Sequence, residues 1–148
     1  MQILTDFLAD DIRKNYCEAF LLEESEYYKK NIFAKKQYSD GLCYEGYLWD
    51  CYANFSVKPI SFCEDFLETK SDLYVLWDIH SSEKIFIPNY WKYPKSSVLV
   101  LETWSYDFYS NSLPEDVYIF DKSFSWTISY THERLENGLA LCYFANPK

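Results

Sequence analysis

Glycine is nearly missing from this chain: Gly41, Gly46 and Gly138 are three scattered positions in 148 residues. Phosphate and dinucleotide loops need clustered glycines so that backbone amides can approach a ligand, and this pattern excludes both classes. No G-x-S-x-G elbow is present. Histidine is as scarce, with only His80 and His132. A catalytic zinc centre generally takes three His, Cys or acidic ligands. The H-E-x-x-H spacing fails too, because Glu133 is followed by Arg134, Leu135 and Glu136. No cofactor and no metal site is therefore expected. Apolar runs fall far short of the ~20 residues that span a bilayer. Met1 to Asp6 lacks a basic start and meets an acid at once, so no secretory signal is expected.

Positive charge is also short. Fourteen Lys and Arg face twenty-three Asp and Glu, for a formal charge of −9 and a pI near 4.6. Both halves share the excess. A nucleic-acid binder needs clustered cations to displace counterions, which argues against DNA or RNA as a ligand. A negative field instead speeds encounter with a basic protein. The five cysteines (Cys17, Cys43, Cys51, Cys63, Cys142) form no C-x-x-C pair, and their odd count predicts reduced, buried thiols in a cytoplasmic protein.

What the chain has in plenty is rings: fifteen tyrosines, eleven phenylalanines and five tryptophans. Each buried ring removes roughly 150–250 Å² from water, and tyrosines that keep a wet hydroxyl belong at boundaries and interfaces. Leu4, Leu8, Ile12, Tyr16 and Phe20 recur every fourth residue and predict a first helix, with Thr5 as its cap. A second helical stretch is predicted from Ser25 to Lys36, and a short one over Pro59 to Glu68 with Ser61 as cap. Tyr44 to Tyr52 reads as extended. Leu73 to Ile79 is apolar on both faces, as a central strand would be, and Ile85 to Ile87 and Val98 to Leu101 are further candidate strands. Val117 to Phe120 reads as another buried strand. Phe124, Trp126, Ile128 and Tyr130 then alternate with Ser125, Thr127, Ser129 and Thr131, the pattern of a half-buried strand. A turn at Glu136 to Gly138 leads to a last strand from Leu139 to Phe144. Helices first and strands later predict one α+β domain over 1–148, ending in a three-stranded antiparallel meander.

Residues 116–133, from Asp116 through Trp126 to the Thr131, His132 and Glu133 end, resemble the C-terminal strand pair of small bacterial proteins. Several of those are cytosolic immunity proteins of polymorphic or contact-dependent toxin systems. The resemblance implies a small bacterial protein in which Trp126 and the Thr131–Glu133 end matter structurally, and it carries over no catalytic residue. Together with the charge and the tyrosines it leads to an expected function: a cytosolic, non-enzymatic binder that neutralises a cognate basic toxin, such as a nuclease. Candidate contact residues are Tyr90, Trp91 and Tyr93, in a stretch bounded by Pro88 and Pro94, with the acids Asp50, Glu64 and Asp65. An alternative is a small metal-dependent or acid–base enzyme using His80, His132 and Glu133, since both histidines fall where a predicted strand runs out. A further alternative is an acidic mimic of nucleic acid.

Overall fold

A computed structural model describes residues 1–39, 41–80 and 93–148. The chain runs β1 (Gln2–Leu4), α1 (Asp6–Phe20), α2 (Glu26–Tyr28), a π-helical turn (Lys29–Phe33), β2 (Lys36–Tyr38), β3 (Gly41–Cys43), a 3₁₀ turn (Leu48–Cys51), β4 (Asn54–Pro59) and α3 (Ile60–Glu68). It continues through β5 (Leu73–Trp77), β6 (Val98–Leu101), α4 (Tyr106–Ser112), β7 (Val117–Asp121), β8 (Thr127–Arg134) and β9 (Ala140–Asn146). Seven strands pair antiparallel in the order β1–β6–β5–β7–β8–β9–β4, with β2 and β3 forming a separate hairpin. The fold is α+β, and β7, β8 and β9 form the meander expected from the sequence.

The sheet is covered on both faces. On one, Tyr16 and Phe20 of α1 pack with Leu76, Val98, Tyr118, Phe120 and Ala145. On the other, Cys63 and Leu67 of α3, with Trp104 and α4, cover Val75, Trp77, Leu99, Val117, Ile119 and Ile128. This double cover corrects the half-buried reading of β8. Thr127 and Ser129 are fully buried rather than wet. Their hydroxyls bond the phenols of α1 and the 3₁₀ turn: Thr127 Oγ1 lies 3.0 Å from Tyr16 Oη, Ser129 bonds Tyr52, and the two phenols are 2.6 Å apart. A polar stripe on a strand can thus face a helix when that helix brings its own hydroxyls.

Other expectations shift. Leu8, placed in the stripe by spacing, is 59% exposed, because the stripe that meets the sheet runs through Ala9, Tyr16 and Phe20. The second helix stops at Phe33, since Lys36 to Tyr38 turns into a hairpin strand, and Ser25 caps it by accepting from Tyr28 N at 3.2 Å. Leu48 to Cys51 is a 3₁₀ turn, not extended chain. Pro59 precedes α3 in place of Ser61. Ile85 to Ile87 lies outside the described residues. Two of the five cysteines are not free: α3 packs on β9, and Cys63 is bonded to Cys142, leaving Cys17, Cys43 and Cys51 as thiols. Arg13 ties α1 to the sheet top, donating to the carbonyls of Trp77, Lys95, Ser96 and Ser97 at 2.9–3.1 Å. Among the described residues no helix is long and apolar enough to cross a membrane.

Candidate functional site

The residues past the end of β5 organise one corner of the α1 face. Asp78 is fully buried. Its Oδ1 accepts from Tyr44 Oη at 2.8 Å and from the Leu48 amide at 3.1 Å, and its Oδ2 accepts from Tyr118 Oη at 2.7 Å. The Tyr118 oxygen in turn accepts from the Trp49 amide at 3.2 Å. One carboxylate therefore fixes the 3₁₀ turn that presents Tyr47, Trp49 and Asp50. Burial, with Asp78 next, pushes the Tyr44 and Tyr118 phenols well above their ordinary range, so both stay donors. His80 clasps the same segment: its Nε2–H donates to the Gly46 carbonyl, which fixes the tautomer because a carbonyl only accepts.

From β8 comes the second half of the corner. The β8–β9 register breaks between Tyr130 and Arg134. Tyr130 faces α4 and Trp104, so strict alternation would send His132 the same way. The irregularity turns His132 toward α1's side instead, 5.1 Å from the Tyr47 ring and 6.2 Å from Trp49. Asp116, just before β7, accepts from the His132 amide at 3.0 Å and meets ring Nδ1 at 3.0 Å with both oxygens. The carboxylate side chain is 4% exposed and the imidazole 44%. A carboxylate cannot donate to the ring, so Nδ1 carries a proton and points at Asp116.

Between the two histidines runs a continuous strip of rings. His80 stands edge-on to Tyr47 at 4.8 Å, Tyr47 stacks on Trp49 at 5.1 Å, Trp49 on Tyr143 at 5.4 Å, and Tyr143 meets Phe55 at 5.5 Å. Two acids flank it. Tyr143 Oη donates to Glu133 at 3.2 Å and Tyr27 Oη to Asp50 at 2.9 Å. Both phenols are pushed up to about 12, by burial first and then by those acids. Among the described residues neither Asp50 nor Glu133 has a cationic partner.

The candidates named from sequence divide. His80, His132, Glu133 and Asp50 come together, linked through Tyr47, Trp49 and Tyr143. Glu64 and Asp65 lie on α3, across the sheet. Glu64 is half-buried and accepts from Trp104 Nε1 at 3.0 Å and from Tyr130 Oη, so it is an internal acceptor rather than a free contact acid. Asp65 is exposed. Tyr93 is buried, its ring 6.2 Å from Trp77, which corrects its placement on an exposed patch: the apolar sheet face claims the ring. Tyr90 and Trp91 lie outside the described residues. Sequence reasoning missed Asp116, Tyr47, Tyr143 and Phe55. Asp116 carried a usable signal, an acid directly before a strand whose partner ends in His132.

Chemically, the corner offers an aromatic plane, two carboxylates without cationic partners among the described residues, and one oriented imidazole. Among the described residues no group of three or more His, Cys, Asp and Glu is placed to hold a metal. A cleft of about 360 Å³ lies on α1's other side, lined by Arg13, Cys17, Glu23, Tyr28, Ile32 and Tyr44. Its chemistry is spent internally: Arg13 serves backbone carbonyls, and burial pushes the Cys17 thiol up to about 12, far from a thiolate nucleophile. Compared with protein-family models, curated proteins and solved structures, the chain matches none.

Proposed function

We propose that this protein is an immunity-type binder that neutralises a cognate basic toxin, with the corner built on Tyr47, Trp49, Asp50, Glu133 and Tyr143 as its contact face. One observation carries the reading: Asp50 and Glu133, without cationic partners among the described residues, flank a strip of rings that reaches solvent at Phe55 and His132. Rings give an interface its anchoring area, and unpaired acids give charge complementarity to Lys and Arg. The net charge of −9 adds long-range steering. Action in the bacterial cytoplasm belongs to the same proposal.

The test is co-expression with the product of the adjacent gene in a bacterial host. Protection from its toxicity, and direct binding whose association rate falls as salt rises, are the expected results. Asp50→Lys with Glu133→Lys should slow association about ten-fold or more while leaving the fold intact. A neighbouring product that is harmless and does not bind removes the proposal.

A second reading has its own observation, the Asp116–His132 pair. A buried carboxylate on Nδ1 of a partly exposed imidazole is the arrangement of a general base. On that reading His132→Gln abolishes the protective phenotype. On the binder reading it leaves protection largely in place.

A further inference from the structure

The two edges of the sheet are finished differently. β1 is three residues long, and a short edge offers little to a passing strand. β4 has six residues, all exposed except half-buried Lys58. β9 satisfies only one side of β4, so every second N–H and C=O along it points away from the sheet. Among the described residues only β9 bonds the backbone of 54–58, through its ladder and the Cys142 Sγ contact to the Lys58 carbonyl at 3.3 Å. Natural edges of this length are usually guarded by charge, proline or a bulge. Here Lys58 and Pro59 guard one end only. Phe55 and Val57, 53% and 49% exposed, stand beside Ala145 and Tyr143 on the same face and so extend the aromatic strip to the rim.

We infer that β4 is a docking edge onto which an extended segment of the basic partner adds as an eighth strand. This rests on the binder reading and specifies how the partner is held. The occupant follows from charge. On one face of the edge the strip brings Asp50 and Glu133 close to Tyr143, whose phenol both acids push upward. On the other face α3 packs against β4 and carries the exposed Asp65 one turn past Phe62, the ring under Lys58 Nζ. A segment alternating apolar and basic side chains sets its apolar residues against Phe55 and Val57 and its cations on the α3 face, toward Asp65, while basic residues flanking the strand meet Asp50 and Glu133. A second copy of this chain is the poorer occupant, because pairing two β4 strands brings together two bodies of charge −9.

The experiment uses the full ¹⁵N-labelled chain and a short synthetic peptide alternating valine and lysine, with a peptide of equal charge carrying glycine for valine as control. The expected result is amide shifts and slowed hydrogen exchange concentrated in residues 54–58, absent with the glycine control. Val57→Lys should weaken peptide binding about ten-fold or more, and Val57→Thr, which keeps a β-branched strand residue, should weaken it by less. Val57 is about half exposed, and an unchanged amide spectrum outside β4 verifies the fold of each variant. Shifts centred elsewhere, an equal response to the glycine control, or self-association of the free chain through β4 would overturn the inference. The two proposals fail separately. A toxin complex broken by Asp50→Lys but indifferent to Val57→Lys sinks edge docking and keeps the binder. Peptide addition at β4 with no toxin partner does the reverse.

Discussion

Asp78→Ala is the substitution expected to cost most for its size. Among the described residues it deletes the acceptor of three hydrogen bonds in a fully buried site: the Tyr44 and Tyr118 phenols and the Leu48 amide. A buried donor left without a partner costs about 1–3 kcal/mol, so these three together account for about 3–9 kcal/mol before any repair. The two phenols can turn toward each other or toward a water in the vacated space. That repair brings the expected loss to about 3–5 kcal/mol, the range found when one member of a buried polar set is removed. Against a typical stability of 5–15 kcal/mol this is a large fraction, and at ~2–4 °C per kcal/mol the midpoint should fall by roughly 10 °C. Asp78→Asn keeps one acceptor oxygen but aims an NH₂ at a phenol, and should cost less, about 1–2 kcal/mol. Urea unfolding followed by tryptophan fluorescence gives both values. Hydrogen exchange adds a local check, because the Leu48 and Trp49 amides should open more readily than the Ile119 amide in β7. An alanine variant within about 1 kcal/mol of the parent, or asparagine worse than alanine, would refute the reasoning.

Alkaline pH should unfold the protein cooperatively. Burial raises Cys17 and Cys51 from 9.0 to about 12 and holds Tyr16, Tyr44 and Tyr118 well above 10.0. Because these folded values lie above the unfolded ones, their stabilisation is whole below about pH 9 and is lost as pH rises toward the folded values, by up to ~1.4 kcal/mol per pH unit for each group. Phenolate absorbance should jump at the unfolding midpoint; a smooth, non-cooperative titration would contradict this. The Cys63–Cys142 bond spans 79 residues, and the chain-entropy account assigns it about 4–5 kcal/mol. Thiol counting in denaturant should find three free cysteines, with reduction lowering the melting temperature; five free thiols in protein taken directly from cells would report a reducing setting that keeps the pair open. Gly46→Ala should destabilise by about 1–3 kcal/mol, since a Cβ there would sit 2.9 Å from Asn31 Cβ and 3.0 Å from the Tyr27 hydroxyl. A neutral calorimetric result would show that the 27–33 segment yields.

The fold class was legible where apolar runs are long. Val98 to Leu101 and Val117 to Phe120 are strands because β-branched and aromatic side chains fill both faces of a covered sheet. β4 was not legible, since Asn54, Ser56, Lys58 and Pro59 read as loop and only pairing with β9 makes them strand. α4 hid for a similar reason: its sequence is polar and aromatic, and its start depends on Ser105 accepting from Phe108 N at 3.2 Å. At the candidate site, the two histidines were visible as strand-end residues. Their proximity was not, because it depends on the β8 irregularity and on a turn held by Asp78 from 30 residues away. Those are tertiary facts with no local periodicity. Tyr93 and Glu64 misled because residue type suggests surface while the second sheet face claims both.

The strand order sets a timetable for synthesis. β7, β8 and β9 are neighbours in sequence as well as in space, whereas β1 joins Val98–Leu101 and β4 waits for β9. Tyr16 and Phe20 have no Tyr118 or Phe120 to pack on until translation has passed those positions. Lys148 is tied in as well, its amide donating to the Ala19 carbonyl at 2.8 Å. Tyr16 and Phe20 therefore emerge from the ribosome with that face unpartnered, and the sheet closes only once β9 is out. Without the last strand, β4 has no pairing partner and α1 loses Ala145 from beneath it, so a nascent chain stalled before β9 is the form most in need of a chaperone.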